Sequence, residues 1–341
     1  MGRPDVSIVV PTRDRWRLLA ATALPSALGQ EGVDVEVLVV DDASRDRPAA
    51  DVDAALHDPR VRVLRHRGPR GVAQARNAGI GEARAEWTAF LDDDDLWSPD
   101  KLARQLDAAT SAGAAFAYGG AAAVSEDGSW LYSLQPADPG TLAQQLLSRN
   151  VLWGGSSNVL VRVDVVRALG GFDEELFQLC DWDLWIRLAL GHEGAAVDDV
   201  LVGCLVHPAS MLLVDENDVL REFAYVRAKH SAAAEHHRVK PDGAAFVRWV
   251  ALGHRRAGRR GRAARTYLRG IVRERDLSSI ARLALALVGP RPGPGASGRP
   301  RAGARALPAR YRHAPAWLGR YGEEVRKIVQ ATSNASSPTE S

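Results

Sequence analysis

The residues with the plainest chemical potential are four consecutive aspartates, Asp92-Asp93-Asp94-Asp95, set between Phe90-Leu91 and Leu96-Trp97. The run before them, Trp87-Thr88-Ala89-Phe90-Leu91, has the composition of a buried strand. Like charges at a strand end repel one another, and dehydrating them is costly unless a partner restores the lost interaction. A hard divalent cation held through oxygen ligands meets both demands. In extended backbone Asp92 and Asp94 project to one side and Asp93 to the other, so Asp92 and Asp94 form the pair for a shared ion. The competing use is capping of the helix that Pro99 opens, with Asp95 or Ser98 as the cap. Capping accounts for one or two acids, not four.

Such a site needs a scaffold that delivers several strand ends to one place. Val6-Ser7-Ile8-Val9-Val10 is a β-branched run stopped by Pro11-Thr12, and Val35–Val40 is a second, ending at Asp41-Asp42. Val61–Leu64 reads as a third strand and Trp87–Leu91 as the fourth. Helical spacing covers Trp16–Leu28 with a kink at Pro25, more weakly Arg47–Leu56, and Gly71–Ala85. Strands alternating with helices predict βαβ units, hence an α/β fold with a Rossmann-like, mostly parallel sheet flanked by helices. In such sheets ligands lie beyond the carboxyl ends of the strands. Thr12, Asp41-Asp42 and Asp92–Asp94 all fall at such ends, which places three polar clusters beside one crevice.

The usual occupants of that crevice can be sorted by motif. No Gly-x-Gly-x-x-Gly follows the first strand, where Pro11-Thr12-Arg13-Asp14 stands, which argues against a dinucleotide oxidoreductase. No Gly-x-x-x-x-Gly-Lys-Ser/Thr occurs, which argues against a P-loop phosphotransferase. A nucleotide held by side chains, its phosphates bridged by a metal, remains.

Taken together the motifs resemble the family-two glycosyltransferases of GT-A fold. The resemblance rests on Val6–Thr12, Val39-Val40-Asp41-Asp42-Ala43-Ser44, Gly71–Gly79 and Phe90–Trp97, and extends to Gly170–Glu174 and Asp181–Arg187. It implies a metal-dependent, inverting transfer of sugar from a nucleoside diphosphate sugar to a carbohydrate or lipid-linked acceptor hydroxyl, in glycan or cell-surface polysaccharide synthesis. By the same resemblance Asp41 and Asp42 contact the base and ribose, with Pro11 and Thr12 beside them. Asp92 and Asp94 are the outer acids of an Asp-x-Asp motif that holds Mg²⁺ or Mn²⁺, and Asp93 lies at the donor. Arg76 sits near the diphosphate or pairs with an aspartate, and His207, in His207-Pro208-Ala209-Ser210-Met211, reaches the diphosphate or metal. Where relatives carry Glu-Asp this chain has Cys180-Asp181, so the general-base role passes to Asp181. Read without the resemblance, Asp181 is a helix cap, Asp183 a cap or a partner for Arg187, and Arg76 a surface residue. The rival readings are a sugar nucleotidyltransferase, whose Gly-rich basic segment after the first strand is missing, and a nucleotide-sugar-binding module, which Cys180 hints at.

Further strands are expected over Phe116–Val124 and Trp130–Tyr132 around a turn at Asp127-Gly128, with a short helix over Leu142–Leu147. Trp153–Asn158 is either a Gly-rich turn or a border of the acceptor site, before the apolar run Val159–Val161. A strand over Val200–Val206 precedes His207. The division expected is a catalytic domain over 1–214, a basic helical extension over 215–288, and a Gly/Pro/Arg-rich linker with a partly disordered tail over 289–341. Helices are expected at Val219–His237, Phe246–Gly253, Ala263–Arg273 and Leu277–Val288.

The 341 residues are 46% hydrophobic and 25% charged, ordinary for a soluble globular protein. The net charge of +2 hides an asymmetry: Lys240–Arg320 holds 19 Lys and Arg against three Asp and Glu, leaving an acidic front. Cys180 and Cys204 offer neither metal spacing nor a disulfide framework, and no segment has signal-peptide form or the ~20 apolar residues of a membrane span. A cytoplasmic protein is expected. The run His254–Arg262 carries no interleaved aromatics and no nucleic-acid fold, so nucleic acid is not expected as a partner. Peripheral contact with an anionic membrane at its inner face is expected instead, at ~1 kcal/mol per basic side chain.

Overall fold

Seven buried residues in a row, Val6–Thr12, form β1, and their β-branched composition suits a strand covered on both faces. The chain continues through α1 (Trp16–Ala21), α2 (Ala23–Leu28), β2 (Val35–Asp41), α3 (Ala50–Leu56), β3 (Val61–Arg65), α4 (Val72–Glu82) and β4 (Trp87–Phe90). Then follow β5 (Leu96–Trp97), α5 (Lys101–Ala112), β6 (Phe116–Ser125), β7 (Trp130–Leu134), α6 (Leu142–Ser148), β8 (Leu160–Arg162), α7 (Val163–Ala168), α8 (Cys180–Gly191) and β9 (Gly194–Val206). This computed structural model describes residues 2–125, 128–206, 216–288 and 308–321. Two units divide the chain: 1–141, 152–205 and 307–341 make the first, and 142–151 and 206–306 the second.

Among the described residues the first unit carries one nine-stranded sheet of order β3-β2-β1-β4-β8-β6-β9-β5, with β7 paired to β6. The expected parallel arrangement holds for β3-β2-β1-β4. Beyond β4 it needs correcting: β8 runs antiparallel to β4 and β6, β7 to β6, and β5 to β9. The physical reason lies in the connections. β6 ends at Ser125 and β7 begins at Trp130, with Ser125 N donating to Ser129 O at 2.9 Å, and so short a link can join only antiparallel neighbours. The core under the parallel half draws Val6, Ile8 and Val10 from β1, Val35, Val37 and Val39 from β2, and Leu19 and Leu24 from the first two helices.

The helix expected over Trp16–Leu28 is two helices, and the break is at Thr22 rather than Pro25. Thr22 leaves helical geometry at φ −120° and ψ −77°. Its hydroxyl lies 2.7 Å from Leu18 O and 2.8 Å from Asp93 O, so the interruption serves the acid segment. Pro25 falls in the first turn of α2, where its missing N–H is tolerated.

α4 packs closely on β1 at one point. A Cβ added to Gly79 would lie 2.3 Å from Val9 Cγ1 and 2.7 Å from Cγ2. Alanine gains about 1 kcal/mol of helix propensity, but overpacking of this kind costs about 1–3 kcal/mol. Because Val9 is fully buried and cannot swing aside, Gly79→Ala is expected to lower the denaturant midpoint without changing its slope.

The second unit is helical: α6, α9 (Glu216–Lys229), α10 (Ser231–His236), α11 (Gly243–Arg256), α12 (Arg260–Arg273) and α13 (Ser279–Val288). The helix expected over Val219–His237 is interrupted at His230. Asp242 caps α11 by accepting from Ala245 N at 2.8 Å. Phe223 and Phe246 stack at 4.0 Å between ring centroids, and Ala251, Ala263, Ala264, Tyr267 and Ala286 fill the space among α11, α12 and α13.

Residues 308–321, which the sequence places in the linker and tail, pack in the first unit. Tyr311 is buried and its hydroxyl lies 2.8 Å from Asp198 Oδ1, Trp317 Nε1 donates to Val200 O at 2.9 Å, and Leu318 and Tyr321 join Leu96, Val124 and Leu205. The apolar spacing of these four side chains supplies a face that the surrounding Gly/Pro/Arg composition conceals. His207, the remainder of its motif, Asp127 and the stretch 289–307 lie outside the described residues.

Candidate active site

Parallel pairing brings three strand ends to one edge. Thr12 stands in register with Asp41, Asp42 N donates to Thr12 O at 2.9 Å, and Leu91 N donates to Val9 O at 3.0 Å. The loops leaving β1 and β2 interlock: Asp14 N donates to Ser44 Oγ and Arg45 N to Asp14 Oδ1. Asp14 and Ala43 adopt φ of 55° and 59° there, a conformation costing about 1–2 kcal/mol for a residue with a Cβ. Pro11 lies buried at the end of β1.

The acid segment is a tight turn and not the extended strand expected. Asp95 N donates to Asp92 O at 3.0 Å. The turn nonetheless keeps the expected alternation, since Asp93 and Asp95 are buried while Asp92 and Asp94 retain side-chain exposures of 32% and 17%. Neither Asp95 nor Ser98 caps the next helix. Asp95 Oδ2 accepts from Ser157 Oγ at 2.5 Å, and α5 begins at Lys101 after an N-cap with no side-chain bond.

Two arginines hold the turn. Arg15 spans Asp93 Oδ1 at 2.9 Å and Asp94 Oδ2 at 2.5 Å, and Thr12 Oγ1 donates to Asp93 Oδ2 at 2.8 Å. Burial pushes the Asp93 carboxyl up to about 7 against the opposing pull of Arg15, with Asp94 adding to the rise. Arg15 is held above its ordinary value although burial opposes its charge, because Asp93 and Asp94 flank it. Asp95 is pushed up well above the carboxylate range by burial and by Asp94 and Asp92, against the Ser157 hydroxyl.

Arg76 is fully buried, where the sequence alone suggests a surface position. Its Nη2 donates to Asp92 Oδ1 at 2.6 Å, its Nη1 lies 3.4 Å from Cys180 Sγ, and its guanidinium stands 5.2 Å from the Phe172 ring centroid. One residue along α4, Asn77 accepts from Phe172 N at 2.8 Å and donates to Phe172 O at 2.9 Å. The Gly71–Gly79 and Gly170–Glu174 motifs therefore meet through these two side chains.

Asp181 lies in the first turn of α8, and the N-cap position belongs to Leu179. Its Oδ1 accepts from Trp182 N at 2.7 Å, and Gly155, at φ +51°, leaves room beside Oδ2, which a Cβ would approach at 3.0 Å. Burial pushes the Asp181 carboxyl up to about 6, against Arg76 and the Trp182 N–H, with Asp92 adding to the rise. Asp183 is a structural residue: fully buried, it accepts from Arg187 Nε at 2.9 Å.

Asp41 and Asp42 divide in role. Asp41 Oδ1 accepts from Ser44 N at 2.8 Å, whereas buried Oδ2 stands 3.3 Å from Arg65 Nε without a hydrogen bond. A buried acceptor left this way costs about 1–3 kcal/mol, which a ligand donor would relieve. Asp42 Oδ1 meets His66 Nδ1 and Arg70 N, and Oδ2 accepts from Gly71 N. Burial works against the Asp42 charge, but these donors hold its carboxyl below the ordinary value. Asp42 thus anchors the entry to α4.

Two positioning residues escape a reading of the sequence. Arg15 sits in a polar loop with no motif around it. Ser157 accepts from Asp92 N at 3.0 Å while donating to Asp95, and its carbonyl accepts from Trp97 Nε1 at 2.7 Å. The spacing of Trp153–Asn158 marks the segment but not that hydroxyl.

Among the described residues no three His, Cys, Asp or Glu converge as a closed cation cage. The donor set is two partly exposed carboxylates, Asp92 and Asp94. Mg²⁺ binds through one or two carboxylates together with substrate phosphates, so the pair fits an ion that arrives on a diphosphate.

The sheet order, the acid turn at its edge and the surrounding helices define a GT-A fold. Residues 7–170, just under half of the chain, match the model of glycosyl transferase family 2. The succinoglycan biosynthesis protein ExoO of Rhizobium meliloti (strain 1021) is 46% identical over 162 residues, 47% of this chain and 44% of that protein. The Escherichia coli UDP-Glc:alpha-D-GlcNAc-diphosphoundecaprenol beta-1,3-glucosyltransferase WfgD is 33% identical over 114 residues, 33% of this chain and 44% of that protein. The chain thus spans less than half the length of these two relatives. The crystal structure of S. aureus TarS 1-349 in complex with UDP-GlcNAc superposes with a TM-score of 0.53 at 16% identity, covering 97% of this chain and 92% of that one.

Proposed function

We propose that the protein is an inverting glycosyltransferase that moves a sugar from a nucleoside diphosphate sugar to an acceptor hydroxyl, in glycan or cell-surface polysaccharide synthesis. The observation that carries this reading is Arg76, which links the acid turn through Asp92 to the start of α8 through Cys180. The acid turn and a carboxyl raised to about 6 thereby stand under the influence of one buried guanidinium. The activity of WfgD and the UDP-GlcNAc complex of TarS support a nucleotide-sugar donor, and WfgD, which acts on a diphosphoundecaprenol-linked sugar, supports a lipid-linked acceptor.

In this reading Asp41 Oδ2 receives a donor from the base or ribose, beside Pro11 and Thr12, with Asp93 and its partners holding the turn beneath the donor. Asp181 accepts the proton of the acceptor hydroxyl as its oxygen attacks the anomeric carbon from the face opposite the phosphate. The new bond forms from that oxygen, the bond from anomeric carbon to phosphate oxygen breaks, and its electron pair leaves on the nucleoside diphosphate. A single displacement inverts the configuration. Arg76 and Arg15 stabilise the growing negative charge near the turn. Asp92 and Asp94 would hold a Mg²⁺ or Mn²⁺, which supplies Lewis-acid stabilisation of the leaving diphosphate.

The enzyme is proposed to work peripherally at the inner face of an anionic membrane, where a lipid-linked acceptor resides. No helix among the described residues is long and apolar enough to cross a membrane. The test of the activity is incubation with UDP-, GDP- and dTDP-sugars, Mn²⁺ and an acceptor panel. Release of nucleoside diphosphate with a product of inverted anomeric configuration is expected. Nucleotide binding without turnover on any acceptor would point to a binding module instead.

A further inference from the structure

The second unit exposes an apolar surface that its own core does not use. Among the described residues Leu268 and Val272 on α12, Leu277 in the following turn, and Ile280, Leu285 and Leu287 on α13 are all more than half exposed. On α12 these residues share a face with Arg265, since 265, 268 and 272 recur at helical spacing. Arg262, Arg273, Arg275 and Arg282 are exposed on the same two helices and their connection. The two acids in this stretch are engaged elsewhere in the unit. Glu274 pairs with Arg227 at 3.4 Å, and Asp276, with 6% of its side chain exposed, pairs with Arg248 at 2.7 Å. Burial opposes its charge, but Ser278, Ser279 and Arg248 hold the Asp276 carboxyl down to about 2, so it stays a fixed anion facing inward. The outer face is left apolar and cationic at once.

We infer that α12 and α13 form a docking face for an anionic lipid bilayer, with Leu268, Val272, Leu277 and Ile280 entering the acyl boundary and the surrounding arginines meeting phosphate headgroups. Charge complementarity selects this occupant. A second copy of the chain would set arginine against arginine, and a nucleic acid would leave the leucines unused. Interleaving basic and apolar side chains is what an interfacial helix requires. The inference deepens the peripheral placement proposed above, and its test does not depend on transfer activity.

The test is sedimentation of the full chain with vesicles of phosphatidylcholine alone or with 30% phosphatidylglycerol. Binding to the anionic vesicles is expected to exceed binding to the neutral ones at least tenfold. Arg262→Gln/Arg265→Gln/Arg273→Gln and, separately, Leu268→Ser/Val272→Ser are each expected to weaken it at least tenfold. A measurable part of the wild-type binding is expected to survive 0.5 M NaCl, because salt screens the arginines but not the apolar contact. All substituted side chains are exposed, and circular dichroism melts verify that the variants fold. Equal sedimentation of wild type and both variants overturns the inference, as does absence of binding to the anionic vesicles. A wild-type dimer that Leu268→Ser/Val272→Ser converts to monomer, with vesicle binding unchanged, overturns it in favour of a second copy. Nucleotide-sugar turnover in the same preparation reports separately on the activity.

Discussion

Asp181→Asn is expected to bind the donor normally, to transfer no measurable sugar, and to melt at a higher temperature than the wild type at neutral pH. Asparagine keeps an oxygen to accept from Trp182 N, the bond Asp181 makes at 2.7 Å, so the first turn of α8 is preserved. It cannot take a proton, and loss of a general base costs ~10²–10⁴-fold. The stability gain follows from the raised carboxyl. With a folded value of about 6 against the ordinary 3.8, the folded protein prefers the protonated form. That preference stabilises fully below the ordinary value and is lost as pH rises through about 6. At pH 7 the ionised group is therefore a burden on the order of 3 kcal/mol, which asparagine removes. Melting curves at pH 4 and pH 7.5 should show the gain at the higher pH only. Wild-type transfer should fall tenfold per unit below pH 6. A variant that transfers normally and melts lower would make Asp181 a structural carboxylate of the first turn of α8.

Asp94→Ala is expected to abolish the strengthening of donor binding by Mn²⁺ and to lower kcat/KM by about three orders of magnitude, in line with the several kcal/mol that a metal ion contributes at a leaving phosphate. The turn should survive, because Arg15 keeps Asp93 at 2.9 Å and the Asp95–Asp92 backbone bond is untouched. Calorimetric titration of nucleoside diphosphate with and without Mn²⁺ separates the two effects: metal-free affinity should change little, and the metal-dependent increment should vanish. An unchanged increment with full transfer would remove Asp94 from the ion.

What could be read from the chain beforehand was whatever short-range pattern determines. β1, β2 and β4 are β-branched or apolar runs closed by Pro, Asp or a turn, and parallel pairing follows from the helices between them. That reasoning also carries Thr12, Asp41 and the aspartates to one edge. It fails where the determinant is a distant partner. Thr22 breaks a helix because its hydroxyl reaches Asp93, 71 residues away. Ser157 reaches Asp92 and Asp95 across more than 60 residues. Lys101 looks like an ordinary surface lysine at a helix start, yet it is buried with Nζ 2.7 Å from Gln105 Oε1 and 4.0 Å from the Trp97 ring centroid. Burial pushes its pKa well below the ordinary range. Arg15 had a signal that spacing rules do not use, since four adjacent acids call for cations at whatever strand end lies beside them.

One eleven-residue helix, α4, leans on β1 through Gly79, grips the acid turn through Arg76, and clasps Phe172 through Asn77. It behaves as a gauge rod: insertions in outlying loops can lengthen or shorten the periphery without detuning the separation between Asp92 and the start of α8. Variation at the rim is therefore open to such a scaffold, whereas the span from the acid turn to Phe172 is set by three contacts on a single rigid element.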